Sequence, residues 1–236
     1  MKKLSVVFLL IFGLSSYVMA DSFEEGSAAY DRGDFSKAAT FFRQAAEQGN
    51  VKALCNLGVM YKYGQGVRKD GRQAEIWLKK GAERNFPPAL CYLGILYEEG
   101  GDVIQDFQKA FMLFKKAAEQ GYAQAQSLMA DMFVDGKGVK QSFQDALVWY
   151  QKAAEQGYAS AQCALGTMYF LGKGTKRDFF KAYAWLSLGV ANGDDGDAFK
   201  KGKEILSQLS LTMSPKEMEE AKSLAEKQVQ SRQKTK

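Results

Sequence analysis

A block of 36 residues recurs along this chain almost without slippage. Ala53, Ala89, Ala125 and Ala161 are copies of one position. So are Ala74, Ala110, Ala146 and Ala182, and so are Gly64, Gly100, Gly136 and Gly172. Columns in fixed register mean one supersecondary unit stacked on copies of itself, because a lone unit cannot bury its own apolar face. Hydrophobic runs have helical period and none alternates as a strand would. The expected fold is all-α: a right-handed α-solenoid of helix-loop-helix repeats with a 36-residue period. About eleven or twelve helices are expected. Such folds offer surface for binding more often than they offer chemistry.

Each unit reads as helix, glycine loop, helix. In the first copy Leu54, Leu57, Gly58 and Tyr61 share a face of a helix over Lys52 to Tyr63. Gly64-Gln65-Gly66-Val67 follows, two glycines suited to ending a helix in a left-handed turn. Asp70 then caps a second helix, with Asp106, Ser142 and Asp178 at the same position in later copies. Four residues beyond each cap stands Ala, and three further on Trp77, Leu113, Trp149 or Trp185 fills the gap beside it. Asp102 replaces the second loop glycine of one copy; Asp tolerates positive φ, so the same turn is expected there.

The ends depart from the pattern, as the ends of a stack must. Residues 1–20 read as a signal peptide: Lys2 and Lys3, an apolar Leu4 to Leu14, and the small-residue rule met at Val18 and Ala20. Cleavage after Ala20 would place the protein in the periplasm or outside the cell, and would lower the formal charge from +5 to +3. That charge is interspersed and too weak to argue for nucleic acid. No later stretch is apolar and long enough to cross a bilayer, and a monomer is expected. Residues 21–50 read as a compressed helix pair, 51–194 as four repeats, and 195–236 as capping helices with a basic tail. Ser214-Pro215-Lys216-Glu217 starts a final helix expected to cover the open end, and Lys227 to Lys236 reads as frayed.

Leu57-Gly58-Val59-Met60-Tyr61 with Gly64-Gln65-Gly66-Val67, and Lys116-Ala117-Ala118-Glu119-Gln120-Gly121 with its copy at Lys152 to Gly157, resemble the Sel-like repeat family. That family is related to the tetratricopeptide repeats. The resemblance runs from about Phe23 to Gly193. It implies adaptor and scaffold roles, often in envelope assembly, secretion, signalling or host contact. Some cysteine-rich members have been linked to β-lactam binding or hydrolysis, with a disulfide inside each repeat. Here the two positions of that pattern hold Leu54, Leu90, Gln126 and Gln162, and Ala82, Ala118, Ala154 and Val190, so neither half is present.

Chemistry is sparse. The chain has no His, which removes Ser-His and Cys-His nucleophile systems and the commonest metal ligand. Its only Ser-x-x-Lys spacing is Ser231 to Lys234, in the tail. No cofactor, metal or catalytic residue is expected. Cys55, Cys91 and Cys163 share one column with Ser127. Stacked helices lie about 8–10 Å apart, beyond the roughly 7 Å Cα limit for a disulfide, so the three thiols should be unpaired.

In tetratricopeptide-like stacks the first helices line the concave face. On that geometry the groove is expected to present Cys55, Val59 and Tyr63; Cys91, Ile95 and Glu99; Ser127, Asp131 and Asp135; and Cys163, Thr167 and Phe170. Lys62, Glu98, Val134 and Leu171 fall beside them; Asn56, Met60 and Tyr92 sit at the boundary. Glu98, Glu99, Asp131 and Asp135 make an acidic stretch, favouring a protein or peptide partner with apolar and basic residues. Charge reversal at Glu99 and Asp131 is expected to weaken partner capture while leaving helicity and melting temperature nearly unchanged, as exposed substitutions do. The expected function is a periplasmic or secreted protein-binding scaffold. The alternatives are a β-lactamase-like hydrolase and a structural stabiliser of an envelope machine.

Overall fold

The computed structural model describes residues 22–193 and 196–233. The expected signal segment, 1–20, lies outside the described residues. Among them there are twelve helices and no strand. A helix over 22–31 (α1) is followed by α2 (Phe35–Glu47), α3 (Val51–Tyr63), α4 (Gly71–Glu83), α5 (Pro87–Glu99) and α6 (Phe107–Glu119). Then come α7 (Ala123–Asp135), α8 (Phe143–Ala154), α9 (Ala159–Leu171), α10 (Phe179–Asn192), α11 (Asp197–Ser210) and α12 (Pro215–Gln233). The chain divides after Asp106 into two compact units.

The repeated columns are the packing columns. Ala53, Ala89, Ala125 and Ala161 have no exposed surface, and neither do Ala74, Ala110, Ala146 and Ala182. Small residues are required because backbones approach closely there: a Cβ on Gly58 would stand 3.3 Å from the Ala74 carbonyl oxygen, and one on Gly166 3.0 Å from that of Ala182. An aromatic column faces the preceding second helix. Arg43 donates to the Tyr61 hydroxyl at 2.9 Å, the Tyr97 hydroxyl donates to Glu75 at 2.6 Å, and Phe133 meets Phe111 edge-on at 5.3 Å.

The loops repeat as well. Gly64, Gly136 and Gly172 close their helices in the left-handed conformation, with φ of 73°, 69° and 70°. In every copy the capping residue's N–H then returns to the first helix: Asp70 to Tyr61 O, Asp106 to Tyr97 O, Ser142 to Phe133 O and Asp178 to Tyr169 O, all within 2.9–3.0 Å. The Asp70, Ser142 and Asp178 side chains accept from the first turn of the helices they open.

Three expectations need correction. Asp102 does not take a left-handed turn; Gly100 and Gly101 carry positive φ instead, at 73° and 93°. Asp102 is freed to accept from Gly71 N at 2.8 Å. The end of the stack is covered by α11 rather than by the last helix. Phe199, Ile205 and Leu209 of α11 bury against Cys163, Ala182 and Leu186, so α11 packs on α9 and α10 as another first helix would. α12 instead lies along α10, with Ala221 and Ala225 against Trp185 and Leu188. It stays helical to Gln233, with Val229 joining that cluster, so most of the expected frayed tail is ordered by packing.

Candidate binding clefts

Within each first helix the successive columns alternate between packed and half-buried. Leu57, Leu93, Met129 and Leu165 are buried. One position earlier, Asn56, Tyr92, Leu128 and Ala164 are all half-buried. Two positions later, Val59, Ile95, Asp131 and Thr167 are all half-buried too. A half-buried side chain at a helical position has one flank on a neighbour and the other open, which is what a cleft wall needs.

In the first unit these columns border a cleft of about 290 Å³. Val59 and Met60 meet Asn56, Tyr92, Tyr30 and Asp31 there. The Tyr30 hydroxyl donates to Gln65 Oε1 at 3.2 Å, and its ring meets Phe35 edge-on. In the second unit a smaller cleft of about 210 Å³ gathers Thr167, Val134, Leu171, Ala164, Tyr150 and Lys201. The Thr167 hydroxyl donates to Cys163 O at 2.8 Å, leaving its methyl to the cleft wall.

The other expected groove residues fall elsewhere. Cys55, Cys91, Ser127 and Cys163 are buried, at 4 %, 0 %, 4 % and 0 % exposure, and line neither of these two clefts; a small side chain there lets adjacent helices close over it. The three cysteines are unpaired. Burial pushes the Cys55 and Cys163 thiols up to about 12. Burial raises the Cys91 thiol as well, helped by the nearby Cys55 and Glu98. Such thiols are poor nucleophiles. Ile95 is half-buried and Tyr63 exposed, both outside the clefts, and Phe170 packs against Phe179 at 5.6 Å.

The carboxylates are not a bare acidic strip. Glu99 accepts from Lys62 Nζ at 2.6 Å; Lys62 is only 5 % exposed, and its ammonium also lies 4.3 Å from the Tyr63 ring centroid. Asp131 accepts from the buried Tyr150 hydroxyl. Burial raises that phenol's pKa, with the negative Asp131 and then its hydrogen bond adding to the shift. Asp135 pairs with Lys137 at 2.8 Å. Charge reversal at Glu99 or Asp131 would therefore strand a buried partner, contrary to the expectation of silence.

Of the expected groove residues, Val59 and Thr167 line these clefts; Tyr30, Asp31 and Tyr150, which the sequence reading did not single out, line them too. Asn56, Tyr92 and Ala164 carried a legible signal: like the Val59 column, theirs changes identity from copy to copy. No cluster of potential metal ligands occurs among the described residues, and no helix there is long and apolar enough to cross a membrane.

The Sel1 repeat family model matches this chain five times in succession, over 14–50, 51–86, 87–122, 123–158 and 159–194. The chain belongs to the Sel1 repeat family. As a Sel1 repeat protein it has the family's helical solenoid fold. A Sel1 repeat protein of Oxalobacter formigenes superposes with a TM-score of 0.68 at 29 % identity, covering 87 % of this chain and 99 % of that one. The protective antigen c5321 of uropathogenic Escherichia coli, also of this fold, aligns at 0.54 and 27 % identity over 90 % of this chain, but only 53 % of its own. HcpE of Helicobacter pylori strain J99, whose name provisionally assigns a beta-lactamase, is 42 % identical over 45 residues, 19 % of this chain and 13 % of HcpE. The chain thus spans a small part of that relative's length.

Proposed function

We propose that this Sel1 repeat protein is an exported binding adaptor that takes partner polypeptides in the clefts walled by its first helices. Residues 1–20 act as a cleaved leader on this reading. The four in-phase repeats of 51–194 supply most of the cleft walls, the helix pair of 21–50 adds Tyr30 and Asp31 to the first cleft, and 195–236 holds capping helices and a basic tail. The observation that carries it is the contrast between columns. Positions of closest packing change little between copies: the two Ala columns are constant, and Leu57, Leu93, Met129 and Leu165 are all large and apolar, because packing imposes one shape. The two half-buried columns instead hold Asn56, Tyr92, Leu128 and Ala164, and Val59, Ile95, Asp131 and Thr167. Those columns supply walls of both clefts. A scaffold with constant packing and variable, half-exposed walls is suited to reading side chains of an extended segment.

A photocrosslinking amino acid at Val59 or Thr167 tests the reading. Crosslinks to a partner should form from those two sites and not from Ile76, an exposed residue of a second helix. Crosslinks from Ile76 alone would remove the clefts from consideration. Export is tested by intact mass, which should begin at Asp21 in protein from outside the cytosol.

A second reading, hydrolysis of a β-lactam, is favoured only by the short HcpE match. The Ser231 hydroxyl of the one Ser-x-x-Lys spacing donates to Gln228 O at 2.8 Å on α12, and Lys234 lies outside the described residues. Turnover of nitrocefin by purified protein, abolished by Ser231→Ala, would establish that reading in place of the adaptor.

A further inference from the structure

A further cleft of the second unit lies on its second helices, away from the clefts above. It holds about 470 Å³ between α8, α10 and α12, with Tyr169 of α9 reaching its floor. Leu147, Val148, Trp185 and Leu224 give it apolar walls, and Lys152, Lys181 and the Tyr169 phenol bring polar groups to them. That volume is in the range of small-molecule sites, about 300–1,000 Å³.

Two features set this cleft apart from the same place in other repeats. The first is Tyr169. Its counterparts Tyr61 and Tyr97 are hydrogen-bonded to Arg43 and Glu75 of the preceding second helix. At the position of Glu75 the later copy has Leu147, and at that of Arg43 it has Gln151, which is turned toward Glu155 at 2.8 Å. The Tyr169 hydroxyl is left with no hydrogen-bond partner among the described residues. The second is the wall added by α12. Ile76, Met112 and Val148 form one column of the second helices and are 46 %, 63 % and 53 % exposed. Ala184, the last member, is 2 % exposed because α12 covers it. The small Ala lets α12 approach α10, and Leu224 of α12 then faces Val148 across open space.

The charges at the cleft are mixed but leave a positive balance. Lys152 lies 3.8 Å from the Trp149 ring centroid. Lys181 sits 5.2 Å from the Tyr169 ring and 3.4 Å from Asp178, whose other oxygen accepts from Lys181 N as the α10 cap. Glu155 is a carboxylate at the cleft, held by Gln151. Two ammonium groups and an unsatisfied phenol donor thus border an apolar slot that one carboxylate and one shared cap counter.

We propose that this cleft binds a small amphiphilic carboxylate: its apolar body against Leu147, Val148, Trp185 and Leu224, and its carboxylate among Lys152, Lys181 and the Tyr169 hydroxyl. A carboxylate offers two charged acceptor oxygens to these three donors, whereas an alcohol offers one neutral oxygen and a quaternary amine none. A peptide helix is the rival occupant, since α12 already shows that a helix can lie on this face.

Calorimetric titration of the purified protein with hexanoate, octanoate and decanoate tests the assignment. Affinity should rise about threefold to fourfold per added methylene, the effect of burying each one. Decanol and decyltrimethylammonium should bind at least about tenfold more weakly than decanoate, the scale of losing charge-assisted hydrogen bonds. Val148→Glu, an exposed position, should abolish binding while circular dichroism and melting stay unchanged. Lys152→Gln and Tyr169→Phe should each weaken decanoate more than decanol. Equal binding of decanoate and decanol, no dependence on chain length, or full binding by Val148→Glu would each overturn the proposal. So would competition by helical peptides with decanoate failing to bind at all.

Discussion

Unit one contains both ways in which this protein seats a loop on the helix before it. Gly66 lies directly over the backbone of Phe35, where an added Cβ would be 2.1 Å from the carbonyl carbon and oxygen. One repeat later Asp102 lies over Gly71 and reaches its N–H with a carboxylate oxygen at 2.8 Å. Unit two uses only the first way: a Cβ on Gly138 would stand 2.2 Å from Phe107 O, and one on Gly174 2.3 Å from Phe143 O. The two members of each contact change together. A bare loop residue goes with a first helical residue that has a bulky side chain, and a loop side chain goes with a bare first helical residue. Space at the contact is conserved while the chemistry shifts from close backbone packing to helix capping. Two substitutions that look independent along the sequence are one compensated change.

The largest expected effect is at the tight contact. Gly138→Ala or Gly174→Ala should destabilise by about 3 kcal/mol, because strained φ and a carbonyl clash coincide. Gly101→Ala, at φ 93° with nothing within 4 Å, should cost only about 1 kcal/mol from φ alone. Similar losses at Gly101 and Gly174 in urea melts would remove the clash from the account.

Next comes the exchanged pair. Gly71→Phe should cost about 2 kcal/mol, since its Cβ would meet Asp102 Cβ, placed at 2.8 Å. Asp102→Gly should cost about 1 kcal/mol by uncapping Gly71 N. The double variant, which recreates the pairing of the other loops, should recover at least about 1 kcal/mol of their sum. Strict additivity in a double-mutant cycle would show that the two positions are not coupled.

Glu99→Lys should lower stability by about 1–2 kcal/mol, because it strands the buried Lys62 and adds a like charge. A Tm equal to the parent's would restore the picture of Glu99 as a bare surface acid.

The smallest effect tests a polar pair that the last repeat fails to complete. Gln126 donates to Ala118 O and accepts from Gln156 at 2.8 Å. Gln162 repeats the first bond, to Ala154 O at 3.1 Å, but its Oε1 is buried without a partner. The residue at the place of Gln156 is Asn192, one methylene shorter, and it donates to Leu188 O instead. Asn192→Gln should raise stability by about 0.5–1 kcal/mol, read as a higher urea midpoint at unchanged slope.

The repeat length, the helix and loop boundaries, the caps at Asp70, Ser142 and Asp178, the buried Ala columns and the unpaired cysteines were all legible in the sequence. Each rests on a local or periodic requirement: a helix needs a cap, a turn back needs a left-handed residue, and a stack of identical units needs the same small residue at each contact. What only the tertiary structure decided involves partners at no fixed separation. The Gly71–Asp102 exchange spans 31 residues and reverses the turn expected at Asp102. Lys62 and Glu99 pair over 37, so an acid that looked exposed anchors a buried cation. The choice of α11 as the end cover and α12 as a wall on α10 depends on which apolar face finds a vacant surface, and outside the repeat no column records it. Periodicity transmits packing because every copy meets the same neighbour. Cleft walls are what remains where neighbours differ, and that difference exists only once the chain has folded.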